Sequence, residues 1–147
     1  MWGQLLAHHS REAAHLAALG AVRPPEESWR LRRGQYLDWL REPLAAVPVA
    51  RDGTACWATR ACGWSTLRGP GSGGDRVGVR ETLVVHDEAR GAGIGQALVG
   101  AARTRLAGSG VQVMKISVIA GNAGALRFYQ REGAVDFAQT LVMPVSG

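Results

Sequence analysis

The stretch HDEARGAGIGQALVG, residues 86–100, decides how this sequence is interpreted. It places four glycines within residues 91–100, directly after an apolar run and directly before a pattern typical of a helix. A strand, a glycine turn and a helix N-terminus together predict an anion site, because unpaired backbone N–H groups and the positive helix end point to one place. Glycines also let the backbone approach a bulky phosphate closely. The sequence therefore predicts a ligand that carries phosphates.

Two common phosphate-binding loops are excluded by spacing. A dinucleotide fingerprint requires G-x-G-x-x-G, but counting from Gly91 the third glycine position holds Gln96, and counting from Gly93 it holds Leu98. A P-loop requires a Gly-Lys pair, and the only lysine in the chain is Lys115. The loop therefore belongs to another class of phosphate-binding motif.

Length and composition predict one domain, residues 1–147, because 147 residues of which 46% are hydrophobic bury one core and are short for two. No apolar run approaches the roughly 20 residues of a membrane-spanning helix. The first ten residues lack the pattern of a secretory signal. We expect a cytoplasmic protein without a membrane partner.

The net charge of +5 raises the question of an anionic partner. The arginines are scattered, however, and the one cluster, Arg30, Arg32 and Arg33, lacks the alternating aromatic residues of single-strand binders. We expect no nucleic-acid partner and rank that function last.

We also expect no metal site. The two cysteines, Cys56 and Cys62, exclude a site with four cysteine ligands. His8, His9 and His15 lack the i, i+4 pairing of a helical zinc site.

Hydrophobic periodicity predicts two helices in the first part of the chain, over residues 4–19 and from about 26 to 41. In the second helix four apolar or aromatic residues share one face, which we interpret as core packing rather than an aromatic wall for a substrate: Trp29, Tyr36, Leu37 and Leu40.

The rest of the chain alternates between strand and helix patterns. Two strands within residues 45–67 are joined by a turn at Asp52-Gly53, and a flexible loop over residues 68–75 follows them. The elements predicted after them are a third strand over 76–86, a helix over 93–107, a strand over 111–119, a helix over 122–132 and a final strand or hairpin over 135–145. In the helix over 93–107 the inward-facing residues are expected to be Ile94, Ala97, Leu98, Ala101 and Leu106. The order predicts a mixed α/β sheet.

Two segments carry a resemblance to a known family. Arg90, Gly93 and Gly95 occupy the three defining positions of an Arg/Gln-x-x-Gly-x-Gly/Ala loop that opens a helix. The segment SVIAGNAGALRFYQREGA, residues 117–134, contains a second pattern in register, formed by Val118, Asn122, Ala125, Phe128, Tyr129 and Gly133. Both motifs, in this order, are similar to those of the GNAT superfamily of N-acetyltransferases.

The resemblance implies an α/β fold with a single domain and a mixed, mostly antiparallel central sheet flanked by helices. It is strong over residues 76–134, the implied cofactor-binding core. Over the N-terminal half it rests on the order of the elements alone, and residues 1–44 are the implied helical region on the acceptor side. The family usually opens with a strand; either Met1–Leu6 forms it or the chain lacks it. Ala134 also departs from the family, in which an aromatic residue usually follows the glycine.

The resemblance further implies that acetyl-CoA is the acyl donor. Its pyrophosphate would bind Arg90 and the backbone N–H groups of Gly91, Ala92, Gly93, Ile94, Gly95 and Gln96. Its pantetheine arm would lie along the backbone of Leu83, Val84 and Val85. Asn122 would hold the pantetheine, or cap the helix that it opens, or do both.

Acyl transfer to an amine requires proton transfers, and the resemblance implies which residues perform them. Tyr129 is the candidate acid for the departing sulfur, with simple packing as the alternative. Glu81 is the candidate base, since strand alternation puts it on the face of Leu83 and Val85. It is equally well explained as a carboxylate at the rim that binds a cationic substrate or pairs with an arginine. His86 is a weaker candidate base, because strand alternation puts it on the face opposite to Glu81 and the turn that follows it favours a solvated cap.

These residues predict direct acetyl transfer through a ternary complex, because no cysteine lies in either motif. The acceptor is expected to be a primary amine on a small molecule or a peptide. The alternative is a non-catalytic module that binds or senses acyl-CoA. A homodimer is possible if a sheet edge is exposed.

Overall fold

The computed structural model describes residues 2–12, 23–41, 45–52, 55–65 and 77–143, and of residues 52, 55–65, 77 and 79–82 it describes the backbone alone. In chain order the elements are α1 (Trp2–Glu12), α2 (Pro25–Trp39), β1 (Val49–Asp52), β2 (Ala55–Ser65), β3 (Val77–Val85), α3 (Ile94–Ala107), β4 (Val113–Ile116) and α4 (Ala123–Arg131). This order confirms the predicted α/β class. The predicted turn at Gly53, the loop over 68–75 and the end of the first helix lie outside the described residues.

The strands form one sheet in the order β1-β2-β3-β4. The pairings of β1 with β2 and of β2 with β3 are antiparallel, whereas β3 and β4 are parallel. Two parallel neighbours require a crossover connection, and α3 supplies it. The predicted mixed, mostly antiparallel sheet is confirmed.

The core lies between α3 and the sheet. The buried residues of α3 are Leu98, Val99, Ala102 and Leu106. Leu106 lies against Gly78 of β3 so closely that a Cβ at Gly78 would come within 2.6 Å of its Cδ1 atom. The predicted inward face is therefore confirmed for Leu98 and Leu106, whereas Ala97 and Ala101 are exposed.

The prediction that the aromatic face of α2 packs in the core was wrong, because α2 has no buried residue. Its rings contact each other and α1 instead. Trp29 lies 5.5 Å from Trp2 of α1 and 6.5 Å from Tyr36 between ring centroids, and Tyr36 lies 5.6 Å from Trp39. The aromatic residues of α2 thus contact each other and Trp2 of α1, and Trp29 is 42% exposed.

The two ends of the chain also differ from the predictions. Residues 2–6 are helical, so they do not form the missing opening strand. Residues 134–143 form neither helix nor strand, and Val135 and Phe137 are 86% and 80% exposed. The prediction of a strand over 135–145 is therefore wrong for residues 135–143, because no described strand pairs with this apolar segment. No helix of the described ranges combines the length and apolarity needed to cross a membrane.

The close approach of α3 to β3 makes a prediction at two glycines. G78A introduces a methyl group where Leu106 packs, and we expect the free energy of unfolding to fall by about 1–3 kcal/mol. G100A is the control, since Gly100 lies in the same helix as Leu106, is exposed and has open space at its Cβ position. It should raise the free energy of unfolding by about 0.5–1 kcal/mol. Urea unfolding measures both, and an unchanged stability of G78A would contradict the packing.

Candidate functional site

The central strand β3 is paired on both sides for only part of its length. Its ladder with β4 runs from Val77↔Val113 to Arg80↔Ile116. Its ladder with β2 continues to Val85. On the β4 side, no strand of the described residues pairs with Glu81–Val85. Backbone N–H and C=O groups along this edge are available to an extended ligand, as they are where a peptide adds to a sheet edge.

The open edge begins at a β-bulge. The β2 ladder pairs Ala61 with Thr82 but Cys62 with Arg80, so Glu81 is an extra residue on β3. A bulge bends the strand and interrupts the alternation of its side chains. The parity argument that placed Glu81 on the face of Leu83 and Val85 therefore does not hold across it. The side chain of Glu81 lies outside the described residues, and its role as a base stays a prediction.

The glycine loop connects this edge to the start of α3. After a short 3₁₀ turn at Asp87–Ala89, Gly91 and Gly93 take positive φ angles of 81° and 76°. Gly93 occupies the N-cap position of α3 without a capping side chain. The first N–H groups of α3, at Ile94, Gly95 and Gln96, thus lack a side-chain acceptor at the cap, which is the arrangement that attracts an anion.

Two loop residues predicted to bind the cofactor have protein contacts of their own. Arg90 is exposed and forms an ion pair with Asp87, with 2.7 Å between Nη2 and Oδ1. At Gly95 a Cβ would lie 3.4 Å from the Phe128 ring and 3.9 Å from Val85 Cγ2. The end of β3, the start of α3 and α4 therefore meet at Gly95.

Asn122 caps α4 and also contacts the first helix. Its Oδ1 atom accepts a hydrogen bond from the backbone N–H of Ala125 at 2.9 Å. Its Nδ2 atom lies 2.8 Å from Nε2 of His8. The capping role is confirmed, and binding of pantetheine stays a prediction.

Tyr129, the candidate acid, is 4% exposed and is the buried residue of α4. Its ring meets that of Phe128 edge-on, with centroids 4.9 Å apart. This placement agrees with the packing alternative, and its role as an acid stays a prediction.

His86, at the end of β3, is not a solvated cap. Its side chain is 30% exposed, and its Nε2 atom lies 3.4 Å from Nε2 of Gln4 in α1. Within the described part of the chain, the side-chain oxygen of Gln4 and the indole nitrogen of Trp2 are buried without a hydrogen-bond partner. α1 thus contributes buried polar atoms next to the open edge.

Sequence reasoning missed the contribution of α1 to this site. Gln4, His8 and Glu12 follow one another at i, i+4 spacing and so line one side of the helix. This spacing is the signal that was available, although a solvated helix face has the same pattern.

His9 is partly buried in α1. Burial lowers the pKa of His9 below its ordinary value of 6.5, and electrostatic interactions with His8 and Arg32 lower it further. His9 is therefore uncharged at neutral pH. Among the residues that the structure describes, no three His, Cys, Asp or Glu side chains come together as metal ligands would.

Comparisons with known proteins agree with this fold. In fold, the chain resembles the tetramutant of the BH1408 protein from Bacillus halodurans, with a TM-score of 0.77, 21% identity and coverage of 97% of this chain and 88% of that one. It also resembles a GCN5-related N-acetyltransferase from Ralstonia eutropha JMP134, with a TM-score of 0.71, 22% identity and coverage of 98% and 92%.

A third similar structure is AAC(6')-Iy in complex with the bisubstrate analog CoA-S-monomethyl-acetylneamine, with a TM-score of 0.68, 16% identity and coverage of 92% and 90%. A search of curated protein sequences finds no match. The model of the acetyltransferase (GNAT) family matches residues 9–134, most of the chain. The protein therefore belongs to the GNAT family of acetyltransferases.

Proposed function

We propose that the protein transfers the acetyl group of acetyl-CoA directly to a primary amine. One observation carries this proposal: the open edge of β3 at Glu81–Val85 leads, through two glycines in the left-handed conformation, to the uncapped N-terminus of α3. A long ligand with an amide-rich arm and a pyrophosphate matches both features.

The two parts of coenzyme A fit the two parts of the site. The amides of the pantetheine arm pair with the backbone of Leu83, Val84 and Val85, as an added strand does. The pyrophosphate accepts hydrogen bonds from the N–H groups of residues 91–96, where the helix dipole favours negative charge. Arg90, which is exposed, adds a positive charge at the rim.

The thioester then lies near the end of β3. A backbone N–H group near Val85 stabilises the negative charge that develops on the thioester oxygen during attack. The amine loses a proton to a base, for which Glu81 and a water relay are the first candidates. Tyr129 protonates the departing sulfur. The alternative, an acyl-CoA sensor, uses the same binding groups and none of these proton transfers.

The acceptor class is a primary amine. AAC(6')-Iy binds an analog that joins coenzyme A to an aminoglycoside, and this makes neamine one of the amines to test. Spermidine and a short peptide with a free N-terminus represent the small-amine and peptide classes.

Calorimetric titration with acetyl-CoA, with NAD as the control ligand, tests the binding step. We expect one site with a Kd of about 1–100 μM for acetyl-CoA and no binding of NAD. Release of free thiol in the presence of the three amines then tests transfer. Tight binding without thiol release would favour the sensor, and no binding of acetyl-CoA would overturn the proposal.

Q96E separates cofactor affinity from helix stability. Gln96 is exposed in the first turn of α3, where a carboxylate stabilises the helix by about 0.3–1 kcal/mol but repels a pyrophosphate. We expect the Kd for acetyl-CoA to rise about tenfold, equivalent to about 1.4 kcal/mol, while thermal stability stays equal or rises. Q35E on the exposed side of α2 makes the same change of charge away from the loop. Equal affinity in Q96E and Q35E would contradict the pyrophosphate site.

The two loop glycines at positions 93 and 95 should respond differently to alanine. G93A places a side chain at a positive φ of 76°, which costs about 1–2 kcal/mol of folding free energy or forces the loop to change shape. The Cβ of G95A makes ordinary contacts with Phe128 and Val85. We expect weaker acetyl-CoA binding in G93A and near-normal binding in G95A, measured by the same titration. Equal binding in both variants would contradict the role of the loop conformation.

A further inference from the structure

The first helix spans the gap between the ends of the two parallel strands. Gln4 contacts His86, which follows β3, and His8 contacts Asn122, which precedes α4 on the β4 side. Because Gln4 and His8 are four residues apart, one side of α1 makes both contacts. α1 thus covers the open end of the site, where the thioester would lie.

The end of α1 is held against the same turn by its backbone. At Gly121 an added Cβ would overlap the backbone carbonyl of Glu12, so the turn before Asn122 and the end of α1 are in direct contact. The position of His8 relative to Asn122 is therefore set by backbone packing as well as by the side-chain hydrogen bond.

The contacts of His8 define which of its nitrogens can take a proton. The amide nitrogen of Asn122 can only donate, so the Nε2 atom of His8, at 2.8 Å, is the acceptor and carries the lone pair. The proton of the neutral ring then lies on Nδ1, which faces Oε1 of Glu12 at 3.7 Å. A carboxylate beside one ring nitrogen stabilises the imidazolium that forms when the other nitrogen takes a proton.

We infer that His8 is the proton acceptor for the incoming amine, an inference that rests on the proposed acetyl transfer. Its side chain is 28% exposed, so an amine can reach it from solvent. Its Nε2 atom contacts Asn122, on the turn against which the end of α1 packs. The amine takes the place of Asn122 as the donor to Nε2.

The proton transfers balance with His8 in this role. An alkylammonium group gives one proton to Nε2 and becomes a free amine. The amine nitrogen forms a bond to the thioester carbon, and the carbon–sulfur bond breaks with its electron pair on sulfur. Tyr129, the predicted donor, gives its proton to the sulfur, and the second proton of the nitrogen returns through water to Tyr129. His8 returns its proton to water, so the products are the acetamide, coenzyme A and one proton.

The other nearby histidines are less suited to this role. Burial, together with His8 and Arg32, lowers the pKa of His9, which makes it a weaker base. His86 contacts Gln4 at the other end of α1, and its Nδ1 atom lies 3.8 Å from Oε2 of Glu88. Of the described ionisable groups, Glu12 and His9 on its own helix interact with His8, and the contact from the α4 side is the uncharged Asn122.

The test compares H8Q with H9Q, the adjacent histidine on the same helix. The acceptor in this test is the amine, among neamine, spermidine and the peptide, that gives the fastest thiol release. Thiol release without any amine is measured as the background. We expect H8Q to lower kcat about 100-fold, as loss of a general base does, with the KM for acetyl-CoA within about twofold. H9Q should keep kcat within about twofold of the wild type.

The pH profile and rescue identify the proton-transfer role. If His8 takes the proton, the dependence of thiol release on pH should differ between the wild type and H8Q. Added imidazole should restore part of the rate to H8A and none to H9A. Unfolding midpoints and acetyl-CoA titrations confirm that each variant folds and binds.

The outcomes separate this inference from the proposed function. Failure of the wild type to bind acetyl-CoA overturns both. Binding and transfer with equal rates and pH profiles in H8Q and the wild type overturn the role of His8 alone. Binding without thiol release in the wild type also overturns it, because no transfer remains for His8 to assist.

Discussion

The structure depends on where the ladder between β3 and β4 ends. Pairing stops at Arg80↔Ile116, and on the other side of β3 the extra residue Glu81 forms a bulge against β2. β3 thus pairs with a strand on both sides as far as Arg80, and beyond the bulge it pairs with β2 alone. The unpaired half supplies the backbone groups that a ligand needs, and the paired half is held by α3 through the contact of Leu106 with Gly78.

Three helices, α1, α3 and α4, lie near the Val85 end of the open edge. α3 begins there with two left-handed glycines before its uncapped first turn, and Phe128 of α4 packs against Gly95. α1 covers the same end through Gln4 and His8. An uncapped helix start, an unpaired backbone edge and the side chain of His8 thus lie around one end of β3, and the proposed acetyl transfer depends on these three features.

The sequence was sufficient to predict the parts that depend on local pattern. β3 and α3 could be predicted from the apolar run before residue 86, the glycine loop and the helix pattern after it. Strand and helix periods and turn glycines determine local structure without reference to the rest of the chain. The bulge at Glu81 was not predictable, since register depends on which strands pair. The environment of α2 was missed, because the face of Trp29 packs against Trp2 and its own helix instead of the sheet. The proposed role of His8 could not be predicted, because a polar helix face has the same pattern whether it faces solvent or a site.

Backbone amide hydrogen exchange, with and without acetyl-CoA, tests the central claim most directly. If the cofactor lies along the open edge of β3 and over the start of α3, binding should slow exchange at Glu81–Val85 and Gly91–Gln96 and leave β1 and α2 unchanged. Binding that slows exchange elsewhere, with these two segments unaffected, would contradict the account.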